Sequence, residues 1–133
     1  MNKQVIAGFA AEGNTDFRFL GSIIQRTIED VATECTGQVE VLPLQHIKKL
    51  NGPFNDMVNE YSKKAHDLGV MILCIHTDAD ATSDTPVFQN KINPAFGAVL
   101  SSPDSVCKNL VAVAPVQMME AWILADKILL RNV

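Results

Sequence analysis

The stretch "GVMILCIHTDAD", residues 69–80, is the most apolar part of the chain and ends in two aspartates one residue apart. Residues 70–76 are apolar except for His76, which predicts a strand buried on both faces and central in a parallel sheet. Asp78 and Asp80 follow directly, and carboxylates this close repel each other unless water or a cation offsets the charge. The stretch therefore predicts a central strand and a site at its carboxyl end.

Strand-like and helix-like segments alternate on either side of this stretch. Strands are predicted at residues 4–11, 38–44 (ending at Pro43), 70–76 and 109–116. Helices are predicted from Asn14 or Thr15 to about Cys35, at 55–68, at about 85–92 (interrupted by Pro94 and Gly97), and at 117–132. This order predicts an α/β fold: a mainly parallel four-stranded, Rossmann-like sheet with helices on both faces.

Length and composition favour a single globular domain. The chain has 133 residues, of which 47% are hydrophobic and 20% charged. No apolar run is long enough for a membrane span, and we expect a cytoplasmic protein. Three widely spaced cysteines argue against a disulfide framework or a zinc site, and the net charge of −4 argues against nonspecific binding of nucleic acid by charge alone.

Acidic residues follow two of the predicted strands at their carboxyl ends. Glu12 and Gly13 come after the first strand, and Asp78 and Asp80 come after the third. If these two strands are neighbours, three carboxylates converge where parallel sheets bind their ligands. Carboxylate oxygens suit Mg²⁺ or Mn²⁺, and such a metal can assist phosphoryl transfer or cleavage.

Three motifs in this order resemble the Toprim (topoisomerase–primase) domain. They read "VIAGFAAEGNTDFRFL" at 5–20, "VMILCIHTDADA" at 70–81 and "PVQMMEAWILAD" at 115–126, and together they span nearly the whole chain. The first is especially similar to the small nuclease-type branch that includes the OLD-family nucleases. Proteins of that branch occur beside ATPases in phage-defence and mobile-element systems. Relatives tend to be longer, so a complete and a C-terminally truncated domain both stay open.

The resemblance implies a Mg²⁺-dependent nuclease that cleaves phosphodiester bonds. Glu12 would be the acid/base or a metal-adjacent carboxylate, Asp78 and Asp80 would bind Mg²⁺ (or Mn²⁺), and Glu120 could add a further metal carboxylate. Gly13 would allow close approach of the substrate. The implied partners are nucleic acid, with DNA expected before RNA, and a partner ATPase; self-association stays open.

A basic residue that stabilises the cleavage transition state is often found downstream in nuclease members. The candidates in this chain are Lys91, Lys108, Lys127 and Arg131, and no motif selects among them.

Two other functions remain open from the residues alone. A catalytically degenerate Toprim-like module would bind a partner, nucleotide or metal without turnover. "DADAT", residues 78–82, also satisfies the DxDxT pattern of haloacid-dehalogenase phosphatases, in which Asp78 would be the nucleophile. For His76, a place in the core or at the sheet end is expected.

Overall fold

The computed structural model describes residues 3–11, 16–77 and 83–114, with only the backbone described at residues 16 and 17. Within these ranges no helix is long and apolar enough to cross a membrane. The elements, in chain order, are β1 (Lys3–Val5), β2 (Ala7–Ala10), α1 (Asp16–Thr33), β3 (Val39–Val41), β4 (Gln45–His46), α2 (Phe54–Asp67), β5 (Ile72–His76), α3 (Thr85–Val87), a π-helical turn (Phe88–Ile92), α4 (Asn93–Leu100) and β6 (Leu110–Val113).

The main sheet has four parallel strands in the order β4-β2-β5-β6. β5 lies between β2 and β6, which confirms the prediction that the apolar run is a central strand. Its register with β2 runs from Ala7 opposite Ile72 to Ala10 opposite Ile75. The pair β1 and β3 is also parallel. The α/β class predicted from the alternation of elements is confirmed.

Helices cover both faces of the sheet, because successive strand residues point to opposite sides. On one face, α1 packs Leu20 and Ile24 against Phe9 and Cys74. On the other face, α2 and α4 cover the sheet together. The buried residues of that second layer are Val58, Tyr61, Ala65, Ala95, Val99, Leu73 and Ile75.

The first predicted strand is divided by a short break, and the second is followed by a short separate strand. The carbonyl of Ile6 accepts hydrogen bonds from the amides of both Met71 (2.7 Å) and Ile72 (3.4 Å), and this residue separates β1 from β2. β3 ends at Val41, two residues before Pro43, which agrees with the prediction that Pro43 ends the second strand. Pairing resumes at Gln45 in a separate strand, β4, which joins β2 in the main sheet.

The predicted interruption at Pro94 and Gly97 is wrong. Helical structure runs without a break from Thr85 to Leu100. Pro94 lies in the first turn of α4, directly after the π-helical turn. Proline is tolerated in a first turn, where its missing amide is not needed for the α-helical ladder.

Two apolar residues near the C-terminal ends of α1 and α2 are not buried. Val31 in α1 is 55% exposed, and Leu68, which caps the C-terminus of α2, is 53% exposed. Leu68 lies outside the core because α2 ends at Asp67, one residue earlier. Val31 instead lines an apolar groove.

Candidate functional site

The carboxyl ends of β2 and β5 lie side by side at one edge of the sheet. Ala10 is in register with Ile75, and Ala11, His76 and Thr77, which continue the two strands, are all buried. The sequence-based prediction of a shared site required these two strands to be neighbours, and this neighbourhood is confirmed. The expectation that His76 lies in the core or at the sheet end is also confirmed.

The chain leaves these two strand ends in opposite directions. After β2 it passes through α1, on one face, and returns to β4 on one side of β2. After β5 it passes through the helix of residues 85–100, on the other face, and returns to β6 on the other side. The gap between β2 and β5 is therefore the topological switch point, where parallel α/β sheets bind their ligands.

The predicted site residues Glu12, Gly13, Asp78, Asp80 and Glu120 lie outside the described residues. What the structure does give is the position of the residues that precede two of them. Glu12 is bonded to Ala11 and Asp78 to Thr77, and these two buried residues lie at the neighbouring strand ends. The residues that directly precede both acidic motifs in the sequence thus lie at the switch point.

One of the basic candidates, Lys91, lies at this edge. Its ammonium donates a hydrogen bond to the hydroxyl oxygen of Thr77, with an Nζ–Oγ1 distance of 2.7 Å. The same ammonium lies 4.7 Å from the centre of the Phe54 ring, a cation–π distance. Lys91 belongs to the π-helical turn, a rare feature that occurs frequently at functional sites.

The other basic candidates differ from Lys91 in position. Lys108 is exposed and precedes β6 by two residues, so it lies at the amino-terminal edge of the sheet, opposite the switch point. Lys127 and Arg131 lie outside the described residues. No sequence pattern selects Lys91, because its contact with Thr77 joins residues 14 positions apart with no motif between them.

Helix amino termini add positive potential at the same edge. α1 follows β2, α2 follows β4, and the helix of residues 85–100 follows β5, so all three begin on the side where the strands end. The backbone amides of a helix's first turn are unpaired and favour negative charge nearby. Together with the Lys91 ammonium, these termini make the edge suited to an anion such as a phosphate.

A small cavity of about 20 Å³ lies beneath this edge on the α2 side. It has room for about one water molecule. The lining residues are Ala11, Lys49, Phe54, Met57, Tyr61, Ile75 and His76. Lys49 is exposed and follows β4, so a second lysine borders this side of the edge.

Metal ligands within the described residues do not form a site. In residues 3–11, 16–77 and 83–114, no group of three or more His, Cys, Asp or Glu side chains is placed to hold a metal ion. Cys74 is buried in β5, and this burial raises the pKa of its thiol from 9.0 to about 11. A thiol that stays protonated is a poor nucleophile and a poor metal ligand, so Cys74 is a core residue.

Comparisons with known proteins provide no relative from which a function could be transferred. No protein-family model, curated protein or solved structure matches the chain. The resemblance to the Toprim domain therefore stays a prediction that depends on the three motifs quoted above.

Proposed function

We propose that the chain is a Toprim-type nuclease that uses Mg²⁺ or Mn²⁺ to cleave phosphodiester bonds in DNA. One observation carries this proposal: the strands that lead into Glu12 and Asp78 are parallel neighbours at the topological switch point, where the Lys91 ammonium is bonded to Thr77. Acidic residues and a fixed cation at one sheet edge suit a site that binds a metal and a phosphate together.

The proposed metal ligands are Glu12, Asp78 and Asp80, with Glu120 as an additional carboxylate. This oxygen-only donor set fits Mg²⁺ or Mn²⁺, which are usually coordinated by a few carboxylates, water and substrate phosphate oxygens. When bound, the metal supplies stabilisation of charge on the attacking and leaving oxygens. Gly13 has no side chain and leaves room beside Glu12 for the phosphate backbone.

Side chains of the protein would carry out the proton transfer and stabilise the transition state. Glu12, if not fully committed to metal, accepts the proton of the attacking water. The Lys91 ammonium, held by Thr77 and by the Phe54 ring, faces the negative charge that grows on the phosphate oxygens in the transition state. Because Lys91 is already fixed in place, little reorganisation is needed when that charge develops.

The Toprim resemblance is the reason for proposing DNA as the substrate and an ATPase as the partner. The net charge of −4 gives little general attraction to DNA. Binding must therefore depend on local positive charge, such as Lys49, Lys91 and the helix amino termini at the switch point. A partner ATPase with its own DNA-binding surface would supply the affinity that this domain lacks.

A plasmid-cleavage assay with Mg²⁺ or Mn²⁺ tests the proposal, with and without an ATPase encoded next to this gene. We expect nicked or linear products from the wild type and none from Asp80→Ala. Asp104→Ala is the matched control, because Asp104 is an exposed aspartate in the loop before β6, at the opposite edge of the sheet. It should cleave like the wild type.

Identical behaviour of wild type and Asp80→Ala in every condition would refute the nuclease proposal. Titration of Mn²⁺ into the wild type by calorimetry then separates the alternatives. Metal binding that Asp80→Ala abolishes, without cleavage, indicates a metal-binding module that lacks turnover. No metal binding by a folded wild type also removes the proposed metal site.

A further inference from the structure

An apolar groove lies on the α1 face of the sheet, beside the helix and above β5 and β6. Its volume is about 600 Å³. Ile72 and Cys74 of β5 and Val111 and Val113 of β6 form its floor, and α1 forms its wall. The groove is distinct from the candidate site, which lies at the carboxyl edge of the sheet.

Three of the six exposed large apolar side chains among the described residues line this groove. Among the described residues, Ile23 (38%), Val31 (55%) and Val111 (46%) are large apolar residues with high exposure, and all three line the groove. Single exposed apolar residues are normal at a protein surface, whereas a contiguous group of them marks a contact surface.

The direction of the chain indicates what covers this surface. The described residues end at Ala114, directly after β6, and β6 forms one side of the groove floor. On the opposite face, Ala112 and Ala114 already pack against the helix of residues 85–100. Residues 115–133 therefore follow a strand, β6, that has one face covered by the helix of residues 85–100 and the other face open to the groove.

The sequence of this segment has the pattern that such a groove requires. With 3.6 residues per turn, Glu120, Lys127 and Arg131 fall on one narrow stripe of a helix. Met118, Trp122, Ala125 and Leu129 fall on the opposite side, Asp126 lies at the border of that side, and the remaining surface is mostly apolar. A helix with so wide an apolar face needs contacts on more than one side, and the groove offers both a floor and a wall.

We propose that residues 117–131 form a helix that docks in this groove against α1, β5 and β6, with Lys127 and Arg131 toward solvent. Its length of about 22 Å is comparable with that of α1, about 27 Å. The tether at Ala114 favours this occupant over a second copy of the chain, because an intramolecular partner is present at high effective concentration.

Trp122 is the single tryptophan of the chain, so its fluorescence reports directly on the docking. In the wild-type chain we expect a blue-shifted emission maximum and strong protection from acrylamide quenching. Val111→Asp places a charge on the groove floor and should shift both values to those of the urea-unfolded chain. Leu100→Asp is the matched control: Leu100 is 57% exposed at the end of α4, outside the groove, and its substitution should change neither value.

Far-UV circular dichroism shows whether Val111→Asp remains folded. If it does not, Val111→Thr, of nearly the same shape, should remain folded and give a smaller loss of protection in the same direction. The proposal is overturned if wild-type Trp122 is quenched as in the unfolded chain, or if the folded groove variants keep it protected. It is also overturned if protection falls on dilution together with a dimer seen by sedimentation, because a second copy then provides the cover.

Discussion

Replacement of Lys91 by methionine removes the ammonium at the switch point and keeps most of the side chain's length and apolar stem. The substitution removes the 2.7 Å hydrogen bond to Thr77 and the cation–π contact with Phe54. A hydrogen bond from a charged group contributes about 1.5 to 3 kcal/mol, and a cation–π contact about 0.5 to 2 kcal/mol. The lysine side chain also loses conformational entropy when it is held in place, and removal of this cost offsets up to about 2 kcal/mol of the loss.

The expected net loss is therefore about 1 to 2 kcal/mol in the free energy of unfolding. A domain of this size has about 5 to 15 kcal/mol in total, so Lys91→Met should remain folded. Loss of one preorganised group that stabilises transition-state charge costs about a hundred- to a thousandfold in rate. The effect on cleavage should thus greatly exceed what partial unfolding can explain.

The assay combines urea denaturation with plasmid cleavage for wild type, Lys91→Met, Thr77→Val and the double variant. If Thr77 acts by holding the ammonium, its substitution should slow cleavage less than Lys91→Met does, and the double variant should be no slower than Lys91→Met alone. Lys108→Met is the matched control, since that lysine is exposed at the opposite edge of the sheet. Cleavage by Lys91→Met within about twofold of wild type, with Asp80→Ala inactive, would refute the assigned role of Lys91.

Three further predictions concern the fold. Leu73→Ala, at a fully buried position in the central strand, should lower the free energy of unfolding by about 2 to 5 kcal/mol in urea titrations, and a change below this range would contradict the core assignment. The raised pKa of Cys74 means that the unfolded thiol loses its proton first; stability should fall by about 2 to 3 kcal/mol as pH rises from 9 to 11, and Cys74→Ala should lack this part of the decrease. Tyr61→Phe removes the hydroxyl that accepts a 3.1 Å hydrogen bond from the Leu50 amide and should cost about 1 kcal/mol, with no loss if the loop rearranges to pair that amide with water.

The elements that the sequence predicts well are those in which local pattern and tertiary environment agree. The run from Val70 to His76 has no polar interruption before its end, and its part from Leu73 to His76 is buried in a central strand that is covered on both faces. α1 and α2 follow the 3.6-residue spacing of apolar positions, and their ends agree with prediction to within about two residues. The alternation of these elements then leaves few topologies besides a parallel sheet.

The features that the sequence did not reveal depend on contacts between distant residues. Pro94 suggests a helix break when it is considered alone, but the π-helical turn before it lets the helix continue. The carbonyl of Ile6 accepts two amides from the start of β5, a pairing that no local pattern encodes. Lys91 becomes a site residue only because the helix that contains it packs beside the end of β5.

The position of Lys91 also sharpens the electrostatic problem set by Asp78 and Asp80. With Glu12 and Glu120, the proposed site holds four carboxylates, and a single ammonium offsets one of their negative charges. Three negative charges remain, and this excess favours the binding of a divalent cation such as Mg²⁺. Lys91→Met removes a like charge from the neighbourhood of the metal, so it should bind Mg²⁺ more tightly while it cleaves more slowly. A lysine with a purely structural role would give neither change, and a lysine whose only effect is repulsion of the metal would give tighter binding without slower cleavage.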